Sequence, residues 1–393
     1  MSYNDFGDSM KIAGIIVEYN PLHNGHLYHI EETRRLSKCD VLICVMSGNF
    51  TQRGEPALVD KFTRTKMALE NKVDMVIELP FVFSVQSANM FAYTSVSILN
   101  HMKVDEIYFG SESGEIKELE DLCDLLDSDA YNNLVKKNLD EGYSYPTASD
   151  KAVRKLTSTA VYDSPNNILG IQYIKSARKL NSSIVMKTIK RHSAGYYSEK
   201  IDNQNIQSAT AIRKMIENKE DYKSYVPKSV YELLKNRKFV SIDLYKDQLE
   251  YLINSSTKDD LKSIFGITEG LENRILKCNN FDSVDQLIIQ IISRRYTNSK
   301  IKRTLMHMLC NTKDELMKGF EIPYIRVLGM NEKGQSYLSV IKKSLEIPLI
   351  TKIKEAKHPY LEHELRASKV YSLVSDIDAF KEEFKPVIIK YFN

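Results

Sequence analysis

The segment KIAGIIVEYNPLHNGHLYH, residues 11–29, gives the strongest indication of the fold. Its first part, Lys11–Asn20, is mostly apolar, which predicts a buried β-strand. Leu27–Lys38 has the spacing of polar and apolar residues that is typical of a helix. The loop between them, Asn20–His26, therefore lies at the carboxyl end of a strand, where open α/β sheets bind their ligands.

The same alternation of strand and helix continues further along the chain. The predicted strands are Asp40–Ser47, Asp74–Pro80, Asp105–Ser111 and Ser182–Arg191, and the predicted helices are Lys61–Lys72, Gln86–Met102 and Ser208–Asn218, with Ser208 as a cap. Continuous apolar strands that alternate with helices predict an α/β fold with a Rossmann-like, doubly wound parallel sheet.

The loop Asn20–His26 also carries the clearest chemistry. Pro21 restricts the turn, and Gly25 lets the backbone approach a ligand closely. His23 and His26 are three residues apart, so on the first turn of a helix they share one face. Two imidazoles at a helix amino terminus suit a phosphate that gains negative charge. The alternative is a pair of surface histidines, but the tight spacing after a buried strand favours a nucleotide site.

This loop resembles the H-x-G-H element of the nucleotidyltransferase superfamily, which includes adenylyltransferases and class I aminoacyl-tRNA synthetases. The segment QSATAIR, residues 207–213, resembles the S-[ST]-T-x-[IL]-R element of the same superfamily. Ser208 and Thr210 could then donate to the outer phosphates, and Arg213 could neutralise them. An ordinary capped helix is the alternative.

Other nucleotide and metal motifs are missing from the sequence. It contains neither G-x-x-x-x-G-K-[ST] nor G-x-G-x-x-G, and it has no H-E-x-x-H, paired C-x-x-C or G-x-S-x-G segment. The segment FGSE, residues 109–112, ends a predicted strand at the same rim as the histidine loop. Gly110 could approach adenine or ribose there, although a plain turn at the end of a strand is also possible.

Composition excludes several broad classes. With 42% hydrophobic and 27% charged residues, the chain can build a sizeable core. The net charge is only +3, so any affinity for nucleic acid must come from a local patch. Five scattered cysteines without zinc-type spacing suggest reduced thiols and no metal site. With neither a signal peptide nor an apolar run of about 20 residues, we expect a cytoplasmic protein without a membrane partner.

The second half has a different character. Beyond Val226–Pro227 the alternation stops, and the remainder is mostly helical, with a possible short mixed segment near Ile325–Ser339. The segment RRYTNSKIKR predicts a helix with an outward basic face, to which five residues contribute: Arg294, Arg295, Lys300, Lys302 and Arg303. Such a face suits an RNA backbone, and Tyr296 could stack on a base, although a solvated basic helix is a common alternative.

Longer blocks resemble the bacterial tRNA(Met) cytidine acetate ligase family. Residues 14–29, GIIVEYNPLHNGHLYH, are similar to the opening of that family, and residues 46–57, MSGNFTQRGEPA, are similar to its second block. The segments ELP, FGSE, NNILG and SATAIR follow in the family order. The likeness covers about the first 220 residues well and the remainder more loosely. A polar extension of about nine residues precedes the first strand and is expected to lie outside the site.

The resemblance implies a two-step reaction. Acetate attacks the α-phosphate of ATP, which gives acetyl-adenylate and pyrophosphate. The N4 amine of the wobble cytidine in elongator tRNA(Met) then takes the acetyl group, which gives N4-acetylcytidine and AMP. Mg²⁺ is expected to accompany ATP, acetyl-CoA is not required, and no obligatory protein partner is evident.

Carried over by position, the resemblance also implies residue roles. His23 and His26 are the catalytic candidates. The ATP-binding candidates are Ile16, Val17, Glu18, Tyr19, Asn20, Pro21, Leu22, His23, Asn24, Gly25, His26, Leu27, Tyr28, His29, Gly110, Asn166, Arg191, Ser208, Thr210 and Arg213. Asn166 is weakly preferred over Asn167. Arg53 and Glu55 lie in the loop after the second strand. For Arg53, contact with phosphate or the tRNA backbone and a simple salt bridge are equally open.

We predict two domains. Residues 1–225 would form the nucleotidyltransferase-like ATP-binding catalytic domain, and residues 226–393 a mostly helical, tRNA-binding domain. Two other functions stay open: a small-molecule adenylyltransferase, and a non-catalytic RNA-binding protein with a nucleotidyltransferase fold. The helical second half argues against the first alternative, because such transferases are typically compact single domains. The non-catalytic alternative is disfavoured because the motif residues are all present: His23, Gly25, His26 and Arg213.

Overall fold

The structure of the 393-residue chain is a computed structural model. It describes residues 10–157, 164–191, 205–318, 321–355 and 357–391, so the polar extension at residues 1–9 lies outside the described residues. Within these ranges, no helix has the length and apolar character needed to cross a membrane.

The described strands form one central sheet. They are β1 (Ile12–Val17), β2 (Val41–Ser47), β3 (Met75–Leu79), β4 (Glu106–Ser111), β5 (Val185–Lys190), β6 (Ile325–Asn331), β7 (Leu349–Ile350) and β8 (Ile388–Lys390). The strand order is β5-β4-β1-β2-β3-β6-β7, and β8 pairs with β6. The first five strands are parallel, which confirms the predicted Rossmann-like sheet.

Helices connect and flank these strands. In the first half they are α1 (Asn24–Ser37), α2 (Lys61–Glu70), α3 (Phe81–Ser84), α4 (Ala88–His101), α5 (Ile116–Leu126), α6 (Asp129–Asp140), α7 (Tyr145–Leu156), α8 (Pro165–Lys179) and α9 (Ala209–Glu217). In the second half they are α10 (Lys228–Leu234), α11 (Lys246–Ser255), α12 (Lys258–Lys262), α13 (Leu271–Ile275), α14 (Val284–Ile291), α15 (Asn298–Leu309), α16 (Glu332–Ile341), α17 (Pro359–Ser372) and α18 (Ala379–Glu382).

Local sequence accounts for these elements. Every residue of β2 is buried, as expected for a parallel strand that is covered on both faces. Asp60 caps α2 by accepting the main-chain N–H of Thr63 at 2.9 Å. Ser208 caps α9 by accepting the N–H of Ala211 at 3.1 Å, as predicted. Both caps satisfy donors that a helix start leaves unpaired.

Strand order places the histidine loop at a ligand-binding position. β2 and β3 lie on one side of β1, whereas β4 and β5 lie on the other side. The order of the chain therefore reverses at β1, which is the switch point at which open α/β sheets bind ligands. The loop Asn20–His26 leaves the sheet at this point.

The second half of the chain contributes to the same sheet. The possible mixed segment near Ile325–Ser339 is the strand β6 followed by the helix α16, and β6 pairs antiparallel with β3. One hydrophobic core includes residues from both halves, and the rings of Phe83 and Tyr360 pack edge to face at 5.1 Å. The sheet is thus not confined to residues 1–225, and the proposed division at 225/226 stays a prediction.

A buried ionic cluster joins the two halves. The Lys61 Nζ contacts carboxylates of Glu78, Glu364 at 2.9 Å and Glu383 at 2.7 Å. The Arg326 guanidinium binds Glu78 at 2.8 Å and Glu383 at 2.5 Å. These side chains are at most 5% exposed. Burial alone would lower the pKa of Lys61, but the three carboxylates outweigh it and raise that pKa, so the ammonium stays charged.

We expect Lys61→Met to reduce the free energy of unfolding by about 3–5 kcal/mol, because it leaves buried carboxylates without a partner. Urea unfolding followed by circular dichroism measures this loss. The matched control is Lys72→Met, since Lys72 forms an exposed ion pair with Glu31 at 2.6 Å. The Lys72→Met substitution should reduce the free energy of unfolding by less than about 1 kcal/mol. Equal losses in the two variants would contradict a structural role for the cluster.

Candidate active site

A cavity of about 540 Å³ opens at the carboxyl ends of β1, β4 and β5. The loop after β2, the start of α8 and the start of α9 complete its walls. Sixteen of the predicted ATP-binding residues line it: Ile16, Val17, Glu18, Tyr19, Asn20, His23, Gly25, His26, Tyr28, His29, Gly110, Asn166, Arg191, Ser208, Thr210 and Arg213. Segments from five separate parts of the sequence therefore meet at one site.

The other four candidates, Pro21, Leu22, Asn24 and Leu27, lie outside the cavity lining. Leu22 is fully buried in a hydrophobic cluster. Asn24 donates through Nδ2 to the main-chain oxygens of Asn205 and Ser224, each at 2.9 Å. Leu22 and Asn24 therefore hold the loop in place rather than form the cavity wall.

The two candidate catalytic histidines stack on each other at the start of α1. Their ring centroids are 3.8 Å apart, with an angle of 27° between the planes. His23 accepts the main-chain N–H of Gly25 at its Nδ1, at 3.1 Å. His26 accepts the main-chain N–H of His23 at its Nδ1, at 3.3 Å. Because Nδ1 accepts in each ring, the hydrogen of the neutral ring is on Nε2.

Both rings are electrically neutral at physiological pH. Burial lowers the pKa of His23 to about 3, and nearby Arg191 adds to this effect. Burial also lowers the pKa of His26 well below its usual value, with a further contribution from His23. What the site offers an anion is therefore neutral donors and the positive end of α1 rather than imidazolium charges.

The amino terminus of α9 supplies a cation at the same cavity. Arg213 donates through Nη1 to the main-chain oxygen of Asn20 at 2.9 Å. Its Nη2 approaches Thr210 Oγ1 at 3.4 Å and the Glu55 carboxylate at 3.5 Å. Ser208 and Thr210 line the cavity with it. A guanidinium beside a helix start suits the outer phosphates of a nucleotide.

Three further predicted residues form the opposite wall. Arg191 donates to Asn166 Oδ1 at 3.1 Å, and a Cβ added at Gly110 would lie 3.0 Å from Arg191 Cγ. Gly110 therefore leaves the space that the arginine stem occupies. Asn167 is buried and accepts the N–H of Glu112 at 3.1 Å, so Asn166 is the neighbour that lines the cavity.

The predicted tRNA-binding residues are arranged differently from the expected outward face. Arg294 and Arg295 are exposed, and the Arg294 guanidinium lies 4.1 Å from the centre of the Tyr143 ring. Lys302 instead points toward the cavity rim and binds Glu55 at 2.7 Å. Burial lowers the pKa of Arg303 to about 10. The basic residues of α15 thus do not form one open stripe.

Two residues of this basic segment are less exposed than predicted. Tyr296 is only 7% exposed, and its hydroxyl donates to the main-chain oxygen of Glu269 at 2.7 Å. The prediction that Tyr296 stacks on an RNA base is therefore wrong, because its ring belongs to the core. Lys300 is partly buried as well, and burial lowers its pKa.

The sequence does not decide the role of the loop after β2. In the structure this loop is a central part of the cavity wall. Thr51, Gln52, Arg53 and Glu55 all line the cavity. A Cβ at Gly54, whose φ is 77°, would lie 2.3 Å from the main-chain nitrogen of Arg303. Glu55 forms ion pairs with Arg213 and Lys302, while a phosphate or tRNA contact of Arg53 stays a prediction.

The fold and this site define a class of protein. The family model of the HIGH Nucleotidyl Transferases matches residues 10–385, so the chain belongs to that family. A curated relative from Caldanaerobacter subterraneus subsp. tengcongensis, named tRNA(Met) cytidine acetate ligase, is 42% identical, with 94% of this chain and 98% of the relative covered. A Bacillus subtilis protein of the same name is 40% identical, with coverage of 93% and 92%.

Solved structures agree with these relatives. The crystal structure of Thermotoga maritima TmcAL bound with alpha-thio ATP superposes with a TM-score of 0.88. The two chains are 32% identical, and the match covers 98% of this chain and 100% of the other. The apo form of the same protein matches equally well, with a TM-score of 0.88.

We expect His26→Ala to lower the rate of pyrophosphate exchange into ATP by about 100- to 1,000-fold, the usual effect of removing one fixed donor to a developing charge. The exchange of labelled pyrophosphate, measured with ATP and acetate, tests this. His101→Ala is the control, because His101 ends α4 and does not line the cavity. Near-normal exchange in a folded His26→Ala variant would remove this imidazole from the mechanism.

Proposed function

We propose that this chain acts as an ATP-dependent tRNA(Met) cytidine acetate ligase. The observation that carries the proposal is the stacked pair His23 and His26, which lies in one cavity with Arg213 and the start of α9. Two helix amino termini with three fixed donor groups suit a triphosphate. The names of the curated relatives support acetate and tRNA(Met) as the other substrates.

In the first step an acetate oxygen attacks the α-phosphorus of ATP. The bond between the α-phosphorus and the bridging oxygen breaks, and pyrophosphate leaves with the electron pair. The Nε2–H groups of His23 and His26 donate to the phosphate oxygens as their charge rises. Ser208, Thr210 and Arg213 hold the departing phosphates. The role of the protein here is to position reactants and to stabilise charge.

In the second step the N4 amine of the wobble cytidine attacks the acetyl carbonyl carbon, and AMP leaves. Acetate alone is a poor acyl donor, whereas the mixed anhydride has a good leaving group. The cavity holds adenylate and acetyl group, so the cytosine must enter it from outside. An anticodon loop suits this because its bases are single-stranded and can be splayed out.

We assign contact with the tRNA backbone to three residues, the exposed Arg294 and Arg295 together with Lys300. Lys302 and Arg303 contribute at the rim, where Lys302 already contacts Glu55. Mg²⁺ enters as part of the MgATP substrate, because it prefers phosphate oxygens and water as ligands. Five free thiols fit a reducing compartment, and we propose the cytoplasm.

We expect labelled pyrophosphate to exchange into ATP with acetate and without tRNA. The enzyme then transfers the acetyl group from labelled acetate to tRNA(Met), and nucleoside analysis by mass spectrometry detects N4-acetylcytidine. Exchange only with a phosphorylated small molecule such as nicotinamide mononucleotide would instead indicate an adenylyltransferase. RNA binding without any acid-dependent exchange would indicate a non-catalytic protein.

We expect Arg294→Ala combined with Arg295→Ala to raise the KM for tRNA and to reduce the salt dependence of tRNA binding. The slope of log K against log salt should fall by about 0.7–0.9 for each phosphate that the protein no longer neutralises. Filter binding at several salt concentrations measures the slope. Lys381→Ala is the control, since that side chain is 81% exposed on α18. An unchanged slope in the double variant would place the RNA surface elsewhere.

A further inference from the structure

Glu18 occupies a fixed position at the inner wall of the cavity, directly after β1. Its Oε1 accepts the main-chain N–H of Gln52 at 2.7 Å. Its main-chain oxygen accepts Nη1 of the buried Arg64 at 2.6 Å. The backbone and one carboxylate oxygen are therefore both held, whereas the Oε2 has no hydrogen-bond partner among the described residues.

Two carboxylates line the described part of the cavity, Glu18 and Glu55. Glu55 is engaged by Lys302 at 2.7 Å and by Arg213 at 3.5 Å. An ion-paired carboxylate is a weak base, because the cations favour its charged form. Glu18 is therefore the carboxylate that keeps an oxygen for a substrate.

The surroundings of Glu18 shift the pKa of its carboxyl group. Burial raises the pKa of its carboxyl group, and Arg53, Arg64 and Arg213 oppose that rise. These arginines come from the loop after β2, from α2 and from α9, while Tyr173 approaches from α8. A carboxylate with a raised pKa holds a proton better than an ordinary one does, which suits general base catalysis.

The imidazoles of the cavity are poor candidates for this role. The Nδ1 atoms of His23 and His26 already accept main-chain N–H groups, and burial lowers the pKa of His23 to about 3. Burial also lowers the pKa of His29 to about 4. Neutral rings of such low basicity donate hydrogen bonds but do not retain a proton at physiological pH.

We propose that Glu18 is a catalytic residue of the transfer step, in which its free Oε2 accepts a hydrogen bond from cytosine N4 and then takes the proton. This inference rests on the proposed function. The N4 lone pair forms a C–N bond to the acetyl carbon, the C–O bond to the phosphate breaks, and AMP leaves with that electron pair. The N4 proton passes to the Glu18 carboxylate. A carboxylate is also the usual partner that recognises a cytosine N4 amine.

The test separates the two half-reactions. Acetate-dependent pyrophosphate exchange reports the first, and a single turnover of enzyme-bound acetyl-adenylate with tRNA reports the second. Glu18→Gln should slow transfer by about 100-fold or more, the usual contribution of a general base. It should slow transfer at least about tenfold more than exchange, because only transfer releases the N4 proton.

The pH profile gives a readout that a structural role would not change. In the wild type the transfer rate falls as pH drops through the raised pKa of Glu18, because the protonated carboxyl cannot accept a proton. This fall of the transfer rate at low pH, the acid limb of the profile, should be absent in Glu18→Gln. Glu18→Asp should retain the acid limb, with a lower transfer rate at every pH. Glu55→Gln is the matched control. It should change the rates of exchange and transfer by the same factor and should retain the acid limb.

Two results would overturn the assignment of Glu18. One is an acid limb that persists in Glu18→Gln, and the other is an equal loss of exchange and transfer in that variant. Both require a wild-type enzyme that exchanges pyrophosphate with acetate. A wild type without such exchange would refute the proposed ligase function itself, so the two failures are distinguishable.

Discussion

Two buried cations on one face of α2 hold the molecule together. Lys61 neutralises carboxylates from β3, from α17 and from the segment after α18. Arg64, three residues later, donates to the main-chain oxygens of Glu18 and Gly48, where β1 and β2 end. Since buried charges are costly without partners, these contacts tie the second half of the chain and the floor of the cavity to the same helix.

The contacts at the end of β1 also bear on the arrangement of the two histidines. Because β1 is held at its end, the loop that follows it presents His23 and His26 against each other, with both Nδ1 atoms bound by main-chain N–H groups. The rings cannot turn freely, and burial keeps them neutral. Donors that are oriented before the substrate arrives need no reorganisation when charge develops on a phosphate.

The loop after β2 links the nucleotide site to the basic segment of the second half. Gly54 lets this loop pack directly on the backbone of α15, and Glu55 joins Arg213 to Lys302. One carboxylate thus contacts a residue suited to phosphate and a residue at the predicted RNA surface. If a triphosphate draws Arg213 away, Lys302 stays as the remaining cation on the Glu55 carboxylate.

The amino-acid sequence alone predicts the five parallel strands, the helices α1, α2, α4 and α9, the cap at Ser208 and the H-x-G-H loop, because periodicity and capping depend on residues close together in the chain. It also determined most of the residues that line the cavity, through short motifs. The folded chain alone shows that β6 joins the sheet antiparallel, that Tyr296 is buried and that Glu18 keeps a free oxygen. Those features depend on contacts between distant residues, such as Lys302 with Glu55, and no local pattern encodes them.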